Sequence, residues 1–336
     1  MIKEAVKKVV EGNDLTRDEA RSVMEEIMSG ETTDAQIGGF LVAMRLKGET
    51  VEEISSFTRV MREKATHIET GTADVLDTCG TGGDGAHTFN ISTITAFVAA
   101  GAGITVAKHG NRSVSSKCGS ADVIRELGIN IDIPPEKVSE CLQKVGIAFL
   151  FAPKLHASMK YAIGPRRELA IRTFFNILGP MTNPAGAKRQ LMGVYDRSLV
   201  ETVAGVLADL GSERAFVVQG DDGLDEITTT SGTYVAEVEE GKVKTYSISQ
   251  EDFGIGKASQ EDLLGGDTEE NVAIFKSVLS GEPGPKRDIV LLNSAFAICA
   301  GGIADTPAEG LKIAGQSIDS GAAMEKYKAL RELSNA

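Results

Sequence analysis

Two stretches concentrate the residues able to do chemistry. "DVLDTCGTGGDG", residues 74 to 85, leaves an apolar run and enters Gly80, Gly82, Gly83 and Gly85, with Asp84 among them. "GDDGLDEITTT", residues 220 to 230, follows another apolar run and carries Asp221, Asp222, Asp225 and Glu226. Glycines let backbone N–H groups turn inward around an anion. Adjacent carboxylates repel such an anion unless cations lie between, and magnesium, which takes carboxylates, phosphate oxygens and retained waters, is the natural mediator. A third group, Lys108, His109, Arg112 and Lys117, supplies local positive charge. Together these residues point to a phosphorylated ligand held with divalent ions.

Gly80, Gly82 and Gly85 formally satisfy G-x-G-x-x-G, so a dinucleotide has to be weighed. That fingerprint needs its last glycine inside the receiving helix and an acid ending the next strand. Here the helix is expected to open near Asn90, and the strand "ITVA" ends in Lys108 and His109. A cation there suits a 2′-phosphate, so an NADP oxidoreductase stays open, as do a ligand-free glycine turn and a solvated acidic turn. A ligand with phosphate at both ends uses more of the residues. The loop gives N–H donors, the helix opening at "NIST" adds a dipole worth ~0.3 to 1 kcal/mol, and Lys108 closes the cage.

The elements that must position these residues are readable. The first 70 residues are helical, with Thr16, Thr33 and Thr50 as caps and Gly30 and Gly48 as stops; Glu19 stands three residues after Thr16 as in a capping box. From about residue 72, strands "DVLDT", "ITVAKHG", "IAFLFAP", "RQLMGVYD" and "RAFVVQG" alternate with helices, which implies a parallel sheet with right-handed crossovers. Ligands on such sheets sit at the carboxyl ends of the strands, where the glycine loop, "KHGNR" and the acidic stretch all fall. "TYVAEVEEGKVKTYSIS" reads as a hairpin turning at Glu240 and Gly241. The fold class is therefore α/β: a small helical domain, residues 1–71 with 153–183 packing back on it, and a larger α/β domain, 72–152 and 184–336, with a mostly parallel sheet.

Composition narrows the function classes. A formal net charge of -13 argues against a nucleic-acid-binding face. No run of 18 or more uncharged apolar residues suggests a membrane span, and no signal-peptide pattern opens the chain, so a cytoplasmic protein is expected. Cys79, Cys118, Cys141 and Cys299 form no C-x-x-C, and the four histidines have no zinc spacing. Cys79 has no base partner in sequence, so a catalytic thiol is not expected. His67, His87 and His156 read as ordinary loop and helix residues, and His109 as either a site residue or a ring satisfied at a strand end.

The motifs "GTGGD", "NIST", "KHGNR", "GSAD", "RRELAIRTFFNILGPMTNPAG" and "DGLDE", in this order over most of the chain, resemble the anthranilate phosphoribosyltransferase family of tryptophan biosynthesis. Each is moderately specific alone; six in order are strong. The resemblance implies transfer of phosphoribose from phosphoribosyl pyrophosphate to the amine of anthranilate, with two magnesium ions, on a fold of the nucleoside phosphorylase and phosphoribosyltransferase class. It implies that Gly80, Thr81, Gly82, Gly83 and Asp84 line the pyrophosphate and ribose, and that Asn90, Ser92, Thr93, Lys108 and Ser120 hold phosphates. Ser92, Asp225 and Glu226 would hold the metals. Gly80, His109, Asn111, Arg166, Gly179 and Pro180 would border anthranilate, with Arg166 on its carboxylate; alternatively, Arg166 and Arg167 simply start a helix and pair with surface acids. A homodimer through the helical domain and separate anthranilate synthase subunits would follow. Two departures stand out, Ala170 where the family often has glycine and Gln219 where it has histidine. Pyrimidine nucleoside phosphorylases, which place "KHSTGG" on the first loop, and a basic, non-catalytic nucleic-acid-binding relative fit less well.

Overall fold

The computed structural model describes residues 1–112 and 118–336; Lys117 of the cationic group lies outside them. Four helices come first: α1 (Ile2–Val10), α2 (Arg17–Ser29), α3 (Asp34–Lys47) and α4 (Val51–Lys64). Thr16, Thr33 and Thr50 cap α2, α3 and α4, each receiving the N–H of Glu19, Gln36 or Glu53 while that side chain reaches back to the cap N–H. Glu53 also accepts from the Leu15 N–H and from Lys47, which stitches α4 to the turn before α2.

The α/β part follows with β1 (Val75–Thr78), α5 (Ile91–Gly101), β2 (Thr105–Gly110), α6 (Ser120–Glu126), α7 (Pro135–Val145) and β3 (Ile147–Phe151). Three helical pieces interrupt it: α8 (Ala152–Leu155), α9 (Lys160–Leu169) and α10 (Phe175–Met181). Then come β4 (Arg189–Gly193), α11 (Leu199–Asp209), β5 (Arg214–Gly220), β6 (Thr233–Glu239), β7 (Lys242–Ile248), α12 (Thr268–Leu279), α13 (Pro285–Ala300), α14 (Pro307–Asp319) and α15 (Ala322–Asn335). One seven-stranded sheet has the order β3-β2-β1-β4-β5-β6-β7, parallel from β3 to β5 and antiparallel thereafter. The β6–β7 hairpin turns at Glu240 (φ 49°) and Gly241 (φ 75°), the pair of left-handed residues that a two-residue turn needs.

The apolar core is divided by the sheet. On β5, Phe216 and Val218 face a cluster built with α5, α13 and α15, while Ala215 and Val217 face a second cluster, the alternation a strand imposes. That second cluster continues without a break through α11 into α1–α4 and takes in Ala162, Phe174 and Phe175. The stacked pair Phe57 and Phe174, 4.6 Å between ring centroids, ties α4 to the residue that opens α10. Asp209, at the end of α11, accepts from Arg17 and Arg59 at 2.8 and 2.7 Å and bolts the helices to the sheet layer.

Candidate active site

The glycine loop leaves β1 at the carboxyl edge of the sheet, and the acidic stretch leaves β5 at the same edge. The two are in contact. The Gly82 N–H donates to Asp225 Oδ2 at 2.7 Å, and Thr81 N–H to the Gly193 carbonyl at 2.9 Å. Gly82 and Gly83 have φ of 64° and 77°, a region in which a side chain costs about 1–2 kcal/mol. At Gly193 the constraint is approach: a Cβ there would lie 1.5 Å from the Asp225 carbonyl oxygen. Only glycine lets the acidic turn lie down on β4.

Helix α5 starts six residues after Gly85, so the third glycine of the formal G-x-G-x-x-G lies outside it and the dinucleotide geometry is missing. What α5 offers is its first turn. The Ser92 N–H donates to Glu226 Oε1 at 3.1 Å, and Thr78 Oγ1 donates to the Ser92 carbonyl at 2.9 Å. Lys108 is buried and donates to the Thr78 carbonyl at 2.5 Å and Ser92 Oγ at 3.2 Å. Its ammonium thus sits beneath the junction of loop, helix and acid. Asn90 Oδ1 and Thr93 Oγ1 are buried in the same turn with no partner among the described residues, which leaves polar capacity for a ligand.

The four acids divide into two pairs. Asp222 accepts from Thr228, Thr230 and the Leu224 N–H, and Asp221 pairs with Arg197 at 2.7 Å; these two shape the turn. Asp225 and Glu226 face the loop. Burial, followed by the charges of Asp84 and Glu226, raises the Asp225 carboxyl well above its ordinary value. Burial raises Glu226 to about 7, with Lys108 pulling it down and Asp84 pushing it up. The Asp84 carboxylate accepts from the Ala86 N–H at 3.2 Å and the Asp225 N–H at 3.4 Å. The carboxyls of Asp225 and Glu226 and the Ser92 hydroxyl are hard-oxygen donors of the kind magnesium takes. Among the described residues no three histidine, cysteine, aspartate or glutamate side chains converge to hold a metal; a magnesium ion held by one or two carboxylates and substrate phosphates needs no such set. The Cys79 thiol is raised by burial and donates to the Gly80 carbonyl, so it offers no thiolate.

The acceptor-side candidates centre on His109, at the carboxyl end of β2. His109 is buried; its backbone N–H donates to Asp77 Oδ1 at 3.0 Å and its Nδ1 lies 3.1 Å from the Gly179 carbonyl. A carbonyl only accepts, so Nδ1 carries the proton and Nε2 is a bare acceptor, buried and with no partner among the described residues. Burial, with His156 and Lys108 adding to it, holds the ring down to about 3, so it is neutral. His156, read from the sequence as an ordinary residue, is buried 5.1 Å from His109, ring to ring, and lowered to about 4 by burial. Pro180 precedes Met181 in α10 and its carbonyl accepts from Gln190 at 2.8 Å. Asn111 is exposed; its carbonyl accepts from Ser120 Oγ at 3.2 Å at the start of α6.

Arg166 does not start a helix and does not pair with a surface acid. It lies in the last turn of α9, its guanidinium 5.0 Å from the centre of the Phe175 ring, with no ion pair among the described residues and its pKa lowered by burial. Ala170 caps α9 at φ 50°, which explains the preference for glycine there, and Gln219 is buried one residue before the end of β5. Several residues of the site escaped the sequence reading. Asp77, fully buried and raised to about 6 by burial, accepts from Asn183 at 2.8 Å, and Asn183 also donates to the Ala107 carbonyl. Gly193, Tyr195, Arg172 and His156 escaped too. Asp77, Arg172 and Asn183 fall within quoted motifs that gave them no role, and Gly193 and Tyr195 had only their place at the carboxyl end of β4 as a signal.

Comparison with known proteins agrees with this geometry. Residues 3–65 match the helical bundle domain of the glycosyl transferase family and residues 72–324 its a/b domain. An anthranilate phosphoribosyltransferase of Moorella thermoacetica is 56% identical over 98% of this chain and 97% of its own. The chain belongs to the anthranilate phosphoribosyltransferase family. The anthranilate phosphoribosyltransferase of Thermus thermophilus superposes with a TM-score of 0.94 at 40% identity, covering 99% of both chains. That of Saccharomyces cerevisiae, solved in complex with PRPP and Mg, gives 0.90 at 27% identity over 99% of this chain and 98% of its own.

Proposed function

We propose that the chain transfers the phosphoribosyl group of 5-phosphoribosyl 1-pyrophosphate to the amine of anthranilate, giving N-(5-phosphoribosyl)anthranilate and pyrophosphate, in tryptophan biosynthesis. The observation that carries this is the meeting of the glycine loop with the acidic turn through Gly82 and Asp225, and of α5 with Glu226. In this reading Gly80, Thr81, Gly82, Gly83 and Asp84 cradle pyrophosphate and ribose. Asn90, Ser92, Thr93, Lys108 and Ser120 hold phosphate oxygens. Ser92, Asp225 and Glu226 hold two magnesium ions, which when bound neutralise charge on the leaving pyrophosphate.

Breaking the anomeric bond builds positive charge on the ribose and negative charge on the leaving group, so donors fixed around pyrophosphate favour the transition state over the ground state. Lys108 contributes a buried cation whose place is already set by Thr78 and Ser92. On the acceptor side, Gly80, Asn111, Gly179 and Pro180 border the ring and Arg166, free of ion pairs, grips the carboxylate. The bare Nε2 of neutral His109 accepts from the aromatic amine and orients it. No strong base is needed, because an aromatic ammonium sheds its proton readily once the new bond forms.

The helical part, residues 1–71 with 153–183, carries Arg166 and, with exposed Leu46 and Ile163, is the expected face of a homodimer. Anthranilate synthase subunits would be separate partners, the setting is the cytoplasm, and nucleic acid and membrane play no part. No helix among the described residues is long and apolar enough to cross a membrane. The test mixes protein, magnesium, phosphoribosyl pyrophosphate and anthranilate and follows the loss of anthranilate fluorescence. Fluorescence should fall only when every component is present. A signal that persists with the full mixture rejects the reading, as does saturable binding of NADPH in its place.

A further inference from the structure

We propose that Arg172, in the loop between α9 and α10, is a positioning residue for the leaving pyrophosphate; the inference rests on the transfer reading above. Arg172 donates to the Gly83 carbonyl, and its guanidinium lies 4.0 Å from the centre of the Tyr195 ring. Tyr195, just beyond β4, donates its N–H to Thr81 Oγ1 at 3.1 Å. One side chain therefore joins three segments: the α9–α10 loop, the glycine loop and the residues after β4. Arg172 makes no direct ion pair among the described residues, although its charge helps to lower the nearby Asp196 carboxyl.

The geometry gives this contact two effects. A trans peptide holds C=O and N–H antiparallel, so fixing the Gly83 carbonyl also fixes the direction of the Asp84 N–H. The planar guanidinium stacks and donates at once, which an ammonium cannot do. Arg166 lies in the last turn of α9 and Arg172 follows six residues later, beyond the end of that helix. No bond is made or broken by Arg172.

The test compares wild type, Arg172→Ala, Arg172→Lys and Tyr195→Ala. Steady-state KM is measured for each substrate, with calorimetric titration by phosphoribosyl pyrophosphate in magnesium and thermal melting alongside. Arg172→Ala is expected to raise KM for phosphoribosyl pyrophosphate, and its dissociation constant, by about tenfold, the size of one exposed charged hydrogen bond. KM for anthranilate at saturating donor and the melting temperature should hold. Lysine should recover part of the loss, and Tyr195→Ala should reproduce part of it. Wild-type activity with an unchanged donor KM in Arg172→Ala overturns the inference, and so does a loss that merely follows a lowered melting temperature. An inactive wild type overturns the transfer reading instead.

Discussion

Replacing Glu226 by Gln is expected to make the metal-free protein more stable while making it a poorer enzyme. Burial and Asp84 hold the Glu226 carboxyl at about 7 against an ordinary 4.5. A folded-state pKa above the unfolded one means that the native chain keeps a proton that the unfolded chain releases. Stability therefore falls as pH rises from about 4.5 to about 7 and stays low above that. The gap corresponds to at most about 3 kcal/mol. Gln keeps an oxygen for the Ser92 N–H, and Lys108 loses one attraction, so the net gain at pH 8 is about 1 to 3 kcal/mol, or roughly 2 to 5 °C in Tm. The advantage should vanish toward pH 4.5. With magnesium and pyrophosphate present the order should reverse, because only wild type has the second carboxylate to offer. Differential scanning calorimetry from pH 5 to 8, with and without ligands, decides the matter. A variant that melts below wild type at pH 8 without metal would refute the reasoning.

Arg166→Ala should raise KM for anthranilate by ~1.5 to 3 kcal/mol of lost charged hydrogen bonding, and an unchanged value in the fluorescence assay rejects that role. Gly193→Ala should displace the acidic turn, since its Cβ would meet the Asp225 carbonyl; magnesium dependence of the rate is the measurement, and an unaltered curve counts against the close approach. Asp77→Asn should weaken the link to the His109 N–H and Asn183, lowering turnover more than stability as read by kcat and Tm side by side. For Asp225→Asn, a shifted magnesium requirement with lower turnover is expected, and activity indifferent to it returns that turn to a solvated role.

What could be read from sequence was what is local. Thr16, Thr33 and Thr50 announce their helices because a capping box is complete within four residues, and Glu240-Gly241 announces its hairpin for the same reason. The glycine loop and the acidic turn were legible as chemistry because each gathers its residues in one stretch, and the sheet rule put both on one edge. The alternative that Arg166 starts a helix fails because α9 opens earlier, at Lys160, through residues with no capping signal. Asp77, His156 and Arg172 were invisible because their roles exist only after strands and loops distant in sequence come together.

Phe57 and Phe174 are stacked in the folded chain, yet a ribosome makes them more than a hundred residues apart. The four leading helices thus emerge without the ring that fills their interior, and every intervening strand of the sheet through β3 is synthesised before that ring exists. The amino-terminal helices can reach their final packing only late in synthesis, and until then their greasy faces are the part of the nascent chain most in need of shielding.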